Sequence, residues 1–373
     1  MAENFVVTPW EVSGKVDYDR LIVQFGTQKV DSKLLSRMKK LFGELHPMLR
    51  RGVFFSHRDF DKILDRYEKK QLFALYTGRG PSGGMHLGHM LPLIFTKYLQ
   101  DIFKCDLYIQ LTDDEKFLFS KKGLSLEESS KMAYDNMLDI IAVGFDPKHT
   151  FIFSDIDSIK TLYPTALKVA KHITFSTAKA VFGFKNENNV GEIFFTSIQS
   201  VPAFLPSIKH QKEVPTLIPC AIDQDPHFRV TRDIAPKLGY PKPAMIHSIF
   251  LPGLQEGGKM SSSEPMTAIY TTDTPELVTK KINNAFSGGR ETIEEHRKHG
   301  GNPDIDIPYQ YLRIFFEPDD KKLQKIHDDY KSGKLLSGEL KAICIEKINT
   351  FLSEHQKKRE QAKKHINEFV LKD

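Results

Sequence analysis

Cysteine is scarce in this chain: three residues in 373, Cys105, Cys220 and Cys344, far apart and without a ligand-like spacing. That argues against a structural zinc or iron–sulfur site and points to a reducing compartment. Long apolar runs are missing too, so no segment reads as a membrane span, and the start MAENFVV lacks a signal peptide's basic and apolar regions. The expectation is a cytosolic protein with no membrane partner. Strong charge of one sign is also absent. The net charge is +5, and the last 108 residues carry 19 Lys and Arg against 18 Asp and Glu. Such a balance permits an anionic partner without demanding one, and the basic run EHQKKREQAKKH also suits a solvated helix face.

What is present is an ordinary globular composition, 40% hydrophobic and 27% charged, over a length that exceeds one compact core. The stretches FVVTPWEV and DRLIVQFG near the start read as extended and predict a hairpin, followed by helical patterning. From Leu72 the rhythm changes. Short apolar runs at LFALYTG, DLYIQLT, TFIFSD, TLIPCAID and AMIHSIF alternate with helical patterns, over 87–103 and 126–143 among others. Strands alternating with helices predict an α/β domain with a largely parallel, Rossmann-like sheet. We divide the chain into an N-terminal extension (1–70), a catalytic domain (71–265) with a mostly helical insertion at about 125–211, and a helical domain (266–373).

Two stretches could carry chemistry. In TGRGPSGGMHLGHML (77–91) a strand ends at Tyr76, glycines turn the chain, and a helix starts near His86. Glycines let an anion approach the backbone, and a helix N-terminus offers free N–H groups and a positive dipole. His86 and His89 share one face of the first turn. The residues alone leave three readings: a phosphate site, a metal site, or a plain turn; no nearby Cys, Asp or Glu completes a local zinc set. In GGKMSSSEP (257–265) the glycines predict a loop, Lys259 supplies a point charge and the serines supply donors. A lysine held so suits negative charge that builds only in a transition state, although a solvated linker would look the same.

Taken together, and separated by roughly 170 residues, the HxGH turn and KMSSS resemble the paired signature of class I aminoacyl-tRNA synthetases. The segments LYTGRGPS, IQLTDDEK, AIDQDPHFR, TRDIAPKLGYPKPA and FSGGRETIEEHRKHGGN, with VVTPW and RRGVFFSHRDF upstream, are similar to the eukaryotic and archaeal cytosolic tryptophanyl-tRNA synthetases. The chain departs from the pattern at Gly83 and Gly84, where bulkier residues are common in relatives. By the resemblance, the extra N-terminal appendage of the animal enzymes is not expected.

The resemblance implies ATP-dependent activation of L-tryptophan, with Mg²⁺ carried by ATP rather than by a protein metal site, and transfer to tRNA(Trp) by a homodimer. It implies that Tyr76 and Gln110 recognise the indole N–H, and that Glu115, Gln199 and Gln224 hold the ammonium group. Gly78, Arg79, His86, Gly88 and His89 would hold ATP, Asp223 its ribose, and Lys259 the pyrophosphate end with Met260, Ser261 and Ser262. His86, His89 and Lys259 would be the catalytic set. The preface with Trp10 would lie over the ATP site, and the C-terminal helical domain would face the anticodon. From the residues alone, Tyr76 reads equally as a core tyrosine, and TDDEK as an acidic helix start. A tyrosyl-tRNA synthetase, a small-molecule nucleotidyltransferase with the same HxGH turn, and an inactive RNA-binding relative remain alternatives at this point.

Overall fold

The structure, a computed structural model, describes residues 5–7, 12–14, 16–120, 123–258, 260 and 264–372. Its centre is a seven-stranded sheet. Five parallel strands, β5 (Ala74–Arg79), β6 (Leu107–Leu111), β7 (Thr150–Ser154), β8 (Thr216–Ala221) and β9 (Ala244–Ser248), lie in the order β9-β8-β5-β6-β7. The five apolar runs of the sequence account for all five. They are apolar throughout because helices cover both faces, so alternation would serve nothing. The chain runs outward from β5 through β6 to β7, then returns to lay β8 and β9 on the other side. The order thus reverses between β5 and β8, and ligands of open α/β sheets bind at such a crevice, outside the strands' carboxyl ends.

The helix after β5, Leu87–Phe103, buries Leu87, Leu91, Phe95, Leu99 and Phe103, a stripe with a spacing of four. Inside it stands Pro92, which lacks an N–H and so leaves the Gly88 carbonyl without its usual intrahelical donor. The helix Leu126–Ala142 starts on a capping box of Ser125 and Glu128. The mostly helical stretch expected as an insertion at about 125–211 in fact contains β7 of the main sheet; its helices beyond β7 are Ile159–Ala170, Phe175–Phe182, Val190–Ile198 and Leu205–His210.

At the N-terminus the structure corrects the sequence reading. The hairpin lies in the first extended stretch and the residue after it, pairing β1 (Val6–Val7) with β2 (Val12–Ser13). DRLIVQFG is instead part of a helix, Tyr18–Phe25, started by the Asp17 side chain, which accepts from the Arg20 N–H, and stopped by left-handed Gly26. Only Leu21 and Phe25 are buried in it. That i, i+4 pair fits a helix, and the intervening Val23 is solvent-exposed. The extension also enters the main sheet: β3 (Gln28–Lys29) pairs antiparallel with β4 (Phe54–Arg58), and β4 pairs antiparallel with β9.

After residue 266 the described chain is helical, with its longest helix at Ser337–Ala362. This helix packs on Leu126–Ala142 through a buried pair, His355 Nε2 to Asp139 Oδ1 at 2.9 Å. In FSGGRETIEEHRKHGGN the glycines answer to packing. A β-carbon on Gly288 would fall 2.0 Å from the Asn302 carbonyl oxygen, and one on Gly300 at 1.8 Å from that of Lys331. The end of the chain returns to the sheet, where Leu371 donates its N–H to the Ile152 carbonyl of β7.

Candidate active site

At the carboxyl ends of β5 and β8 the structure holds a cavity of about 330 Å³. The strands fix its walls. β5 supplies Tyr76, Gly78 and Arg79, and the turn after β8 supplies Asp223 and Gln224. Thr112 and Glu115 follow β6; Phe195 and Gln199 come from the insertion, and Phe228 from the helix after Gln224. Spaced i and i+4, Gln224 and Phe228 share a face. His86, Gly88 and His89 border the other end with Met260.

The apolar end is built from Tyr76, Phe195, Phe228, Ile218 and Cys220. Tyr76 is buried and meets the Phe228 ring edge-on, with centroids 5.8 Å apart. Burial pushes its hydroxyl pKa well above the usual value, so it stays protonated and donates to Gln110 Oε1 at 2.5 Å. Gln110 itself does not line the cavity: it is fully buried behind Tyr76. The sequence reading ended the first strand at Tyr76, whereas β5 runs on through Gly78 to Arg79; the structure also links Tyr76 to Gln110 and puts one behind the other.

Beside this slot stand two acceptors. Gln199 Oε1 is buried with no hydrogen-bond partner among the described residues, a position that suits a donor from a ligand. At Glu115, burial raises the carboxyl, but the Lys116 ammonium and hydrogen bonds from Lys116 and Thr112 outweigh it and hold the group below the usual range. Lys116 Nζ donates to Glu115 Oε1 at 2.6 Å and Thr112 Oγ1 to Oε2 at 2.5 Å. Lys116 therefore stands where an incoming ammonium would share Glu115. Reading TDDEK as a helix start captured Glu115 but missed this internal partner.

The polar end is the start of helix Leu87–Phe103. His86 occupies the N-cap position in extended conformation, and its N–H donates to His89 Nδ1 at 3.3 Å. The two rings stack with centroids 3.5 Å apart. Gly88 makes that possible, because a β-carbon there would lie 3.0 Å from His86 Cε1. At Gly80 a β-carbon would fall 2.4 Å from Lys116 Cε, so the lysine side chain would have to shift. The Gly83 carbonyl accepts from Asn136 Nδ2 at 2.9 Å, and Gly84 lies against the Tyr270 ring. Gly83 has φ +138, a conformation that larger residues avoid.

Arg79 closes the floor. Burial lowers its pKa to about 10, against the pull of Glu115 and Asp139, so it remains a cation at neutral pH. Its Nη1 donates to the Gly80 carbonyl, while Nε and Nη2 are buried without a partner among the described residues. A buried guanidinium with two unused donors beside a helix N-terminus is a site for an anion.

The far side of the loop after β9 is anchored at both ends. Met260 donates its N–H to the Leu251 carbonyl, and Leu87 at the helix start donates to the Ile269 carbonyl. Lys259, Ser261 and Ser262 lie outside the described residues, as does Trp10. The helix Tyr18–Phe25 packs against Ile222 and Phe250, next to Asp223, and Tyr18 Oη accepts from the Phe250 N–H at 2.9 Å. Sequence reasoning missed Lys116, Phe195, His227 and Phe228 of the cavity wall. Only Phe228 had a usable signal, its spacing of four from Gln224.

Known proteins match this architecture over its length. Residues 68–353 fit the family model of tRNA synthetases class I (W and Y). The chain is 56% identical over 372 residues to a tryptophan–tRNA ligase of Sulfolobus acidocaldarius, covering 99% of this chain and 96% of that protein. It is 52% identical to the cytoplasmic tryptophan–tRNA ligase of Schizosaccharomyces pombe, over 96% of this chain and 94% of that one. The crystal structure of Plasmodium falciparum tryptophanyl-tRNA synthetase superposes with a TM-score of 0.89 at 44% identity, covering 95% of this chain and 98% of that chain. The chain belongs to the class I tRNA synthetases of the tryptophan and tyrosine family, on the branch of the tryptophan–tRNA ligases.

Proposed function

We propose that this chain joins L-tryptophan to ATP as tryptophanyl-adenylate and then transfers the amino acid to the terminal adenosine of tRNA(Trp). One observation carries the reading: a single cavity joins an aromatic slot and two ammonium acceptors to a helix N-terminus with a buried arginine. Tyr76 and, through it, Gln110 answer the indole N–H; Glu115, Gln199 and Gln224 hold the ammonium group. Gly78, Arg79, His86, Gly88 and His89 take the phosphates, Asp223 the ribose, and Lys259 with Met260, Ser261 and Ser262 the pyrophosphate.

In the first step a carboxylate oxygen of tryptophan attacks the α-phosphorus. A bond forms from that oxygen to phosphorus, the bond to the β-phosphate bridge oxygen breaks, and the electron pair leaves on pyrophosphate. No proton moves, so no general base is required. The protein's contribution is to align the two substrates and to meet charge that accumulates on the leaving group. In the second step a ribose hydroxyl oxygen of the tRNA attacks the acyl carbon, the bond from that carbon to the adenylate's phosphate oxygen breaks, and AMP departs with the hydroxyl proton passing to its phosphate. Mg²⁺ would enter on the nucleotide, with phosphate oxygens and water as ligands. Among the described residues no group of three or more His, Cys, Asp or Glu is gathered to hold a metal.

A tyrosine-specific pocket would want a carboxylate facing the phenol hydroxyl. Here the carboxylate closest in the network, Asp155, lies behind Gln110 and is engaged by its amide. The C-terminal helical domain would meet the anticodon by shape and local charge, since its overall balance is nearly neutral. For assembly we propose a homodimer through the helix Ile159–Ala170. Its Ile159, Tyr163 and Leu167, four residues apart, form an exposed apolar stripe. Like the fission-yeast relative, the chain would work in the cytoplasm.

Lys259→Ala tests the chemistry. If the lysine meets charge on pyrophosphate, tryptophan-dependent pyrophosphate exchange falls by about a hundredfold or more, while tryptophan affinity stays within a few-fold. Exchange near the wild-type rate removes Lys259 from this role.

A further inference from the structure

An amide side chain has two ends of nearly equal shape, one that accepts hydrogen bonds and one that donates. Gln110 is completely buried, so its neighbours alone decide which end meets Tyr76. The choice matters to the cavity. With Oε1 toward Tyr76, the tyrosine donates to the glutamine and keeps a lone pair for a ligand N–H. With the amide reversed, Tyr76 would have to accept from Nε2, and its own O–H would point at the ligand as a donor. The first arrangement welcomes an indole N–H and the second opposes it.

The neighbour that decides is Asp155, 1% exposed, one residue past the end of β7. It is fixed there by its own N–H, which donates to the Leu111 carbonyl of β6. Gln110 Nε2 lies 2.9 Å from Asp155 Oδ1 and 2.8 Å from Oδ2, so both oxygens of the carboxyl face the amide nitrogen. A reversed amide would set its carbonyl oxygen against both, in a dry interior where such repulsion is strong. We propose that Asp155 is a positioning residue for amino-acid recognition: it locks the Gln110 amide, which in turn makes Tyr76 an acceptor for the ring N–H. The inference rests on the assignment of Tyr76 and Gln110 to the indole.

Asp114 supports the arrangement from behind. Burial, then the neighbouring Asp114, pushes the Asp155 carboxyl well above the usual carboxylate range, and burial raises Asp114 to about 6. The two share a hydrogen bond. A proton shared by the pair would leave Asp155 lone pairs to the amide and remove the cost of an isolated buried charge. Nothing else in the reaction as described uses either group. Recognition of the indole then depends on a chain of four side chains, Asp114, Asp155, Gln110 and Tyr76, of which only the last lines the cavity.

The test compares tryptophan with 3-benzothienylalanine, which keeps the shape but replaces the ring N–H by sulfur, in pyrophosphate exchange by the full chain. Wild-type enzyme is expected to prefer tryptophan by at least about a hundredfold in kcat/KM, as a site built around a hydrogen bond does. Asp155→Ala is expected to reduce that preference below about tenfold, mainly through a higher KM for tryptophan, with kcat changed little. Asparagine can still accept from Gln110 and donate to Asp114, so Asp155→Asn should keep the preference within about threefold of wild type. Adding Asp155→Ala to Gln110→Leu should reduce it no further. Circular dichroism checks folding, and Asp155→Leu, closer in volume, replaces Asp155→Ala if the latter does not fold. A folded variant without the carboxyl that still discriminates like wild type overturns the inference. A wild-type enzyme indifferent to the ring N–H sinks the indole assignment itself.

Discussion

At the residue scale, the site combines groups whose burial is costly with partners that offset the cost. His227 illustrates it. The ring is buried against the cavity, and burial lowers its pKa to about 4 from 6.5, opposed by Glu115. A base with a depressed pKa is neutral when folded, so its proton is taken up more readily by the unfolded chain. Its share of stability is complete at pH 7 and declines as pH falls from about 6.5 towards 4, by on the order of 2 kcal/mol between pH 7 and 5. Removing the titration in His227→Gln should therefore shrink the loss of Tm between pH 7 and pH 5. An unchanged loss in the variant would show that His227 is protonated in the fold.

The residues also show where sequence reading stops. His86, Gly88 and His89 were legible because a local turn holds them, and the stacked imidazoles follow from that turn. Glu115 was legible as a residue but not as a partner of Lys116, because the turn of the chain, not the spacing, brings the ammonium to its Oε1. Asp155 was invisible. It stands 45 residues from Gln110 in sequence, and only the parallel register of β6 and β7 puts them together.

At the scale of elements, the sequence was most informative where period and burial agree. Each of the five apolar runs after Leu72 that predicted a strand is one, and the helix over 87–103 matches the predicted span. DRLIVQFG failed because so short an apolar run, Leu21 to Val23 and then Phe25, fits either period. Capping by Asp17 and Gly26 made the decision. The insertion raises a different point: Ile159, Tyr163 and Leu167 project outward, which a lone monomer gains nothing from. If they meet a second copy, light scattering on the wild-type chain gives a mass near twice 42.7 kDa. Tyr163→Asp combined with Leu167→Asp then gives the monomer mass with the helix content kept. A variant that remains a dimer places the interface elsewhere.

For the whole molecule, the three proposed parts meet in shared contacts. The extension lends β3 and β4 to the sheet and lays the helix Tyr18–Phe25 beside Asp223. Half-buried Arg58 of β4 ties that helix to the site, since it donates to the Phe25 and Gly26 carbonyls and pairs with fully buried Asp225. On the other side, His355 and Arg359 of the longest helix reach Asp139, whose charge is also felt by Arg79 in the cavity floor. Most of these links were not legible beforehand: Arg58 and Asp225 stand 167 positions apart, and His355 and Asp139 stand 216 apart. The central claim, that this one cavity activates tryptophan for tRNA, is tested most directly by pyrophosphate exchange run separately with tryptophan and tyrosine, followed by charging of total tRNA. The account predicts exchange and charging with tryptophan and at least about a thousandfold less with tyrosine. Equal exchange with tyrosine, or exchange with tryptophan that never reaches tRNA, would contradict it.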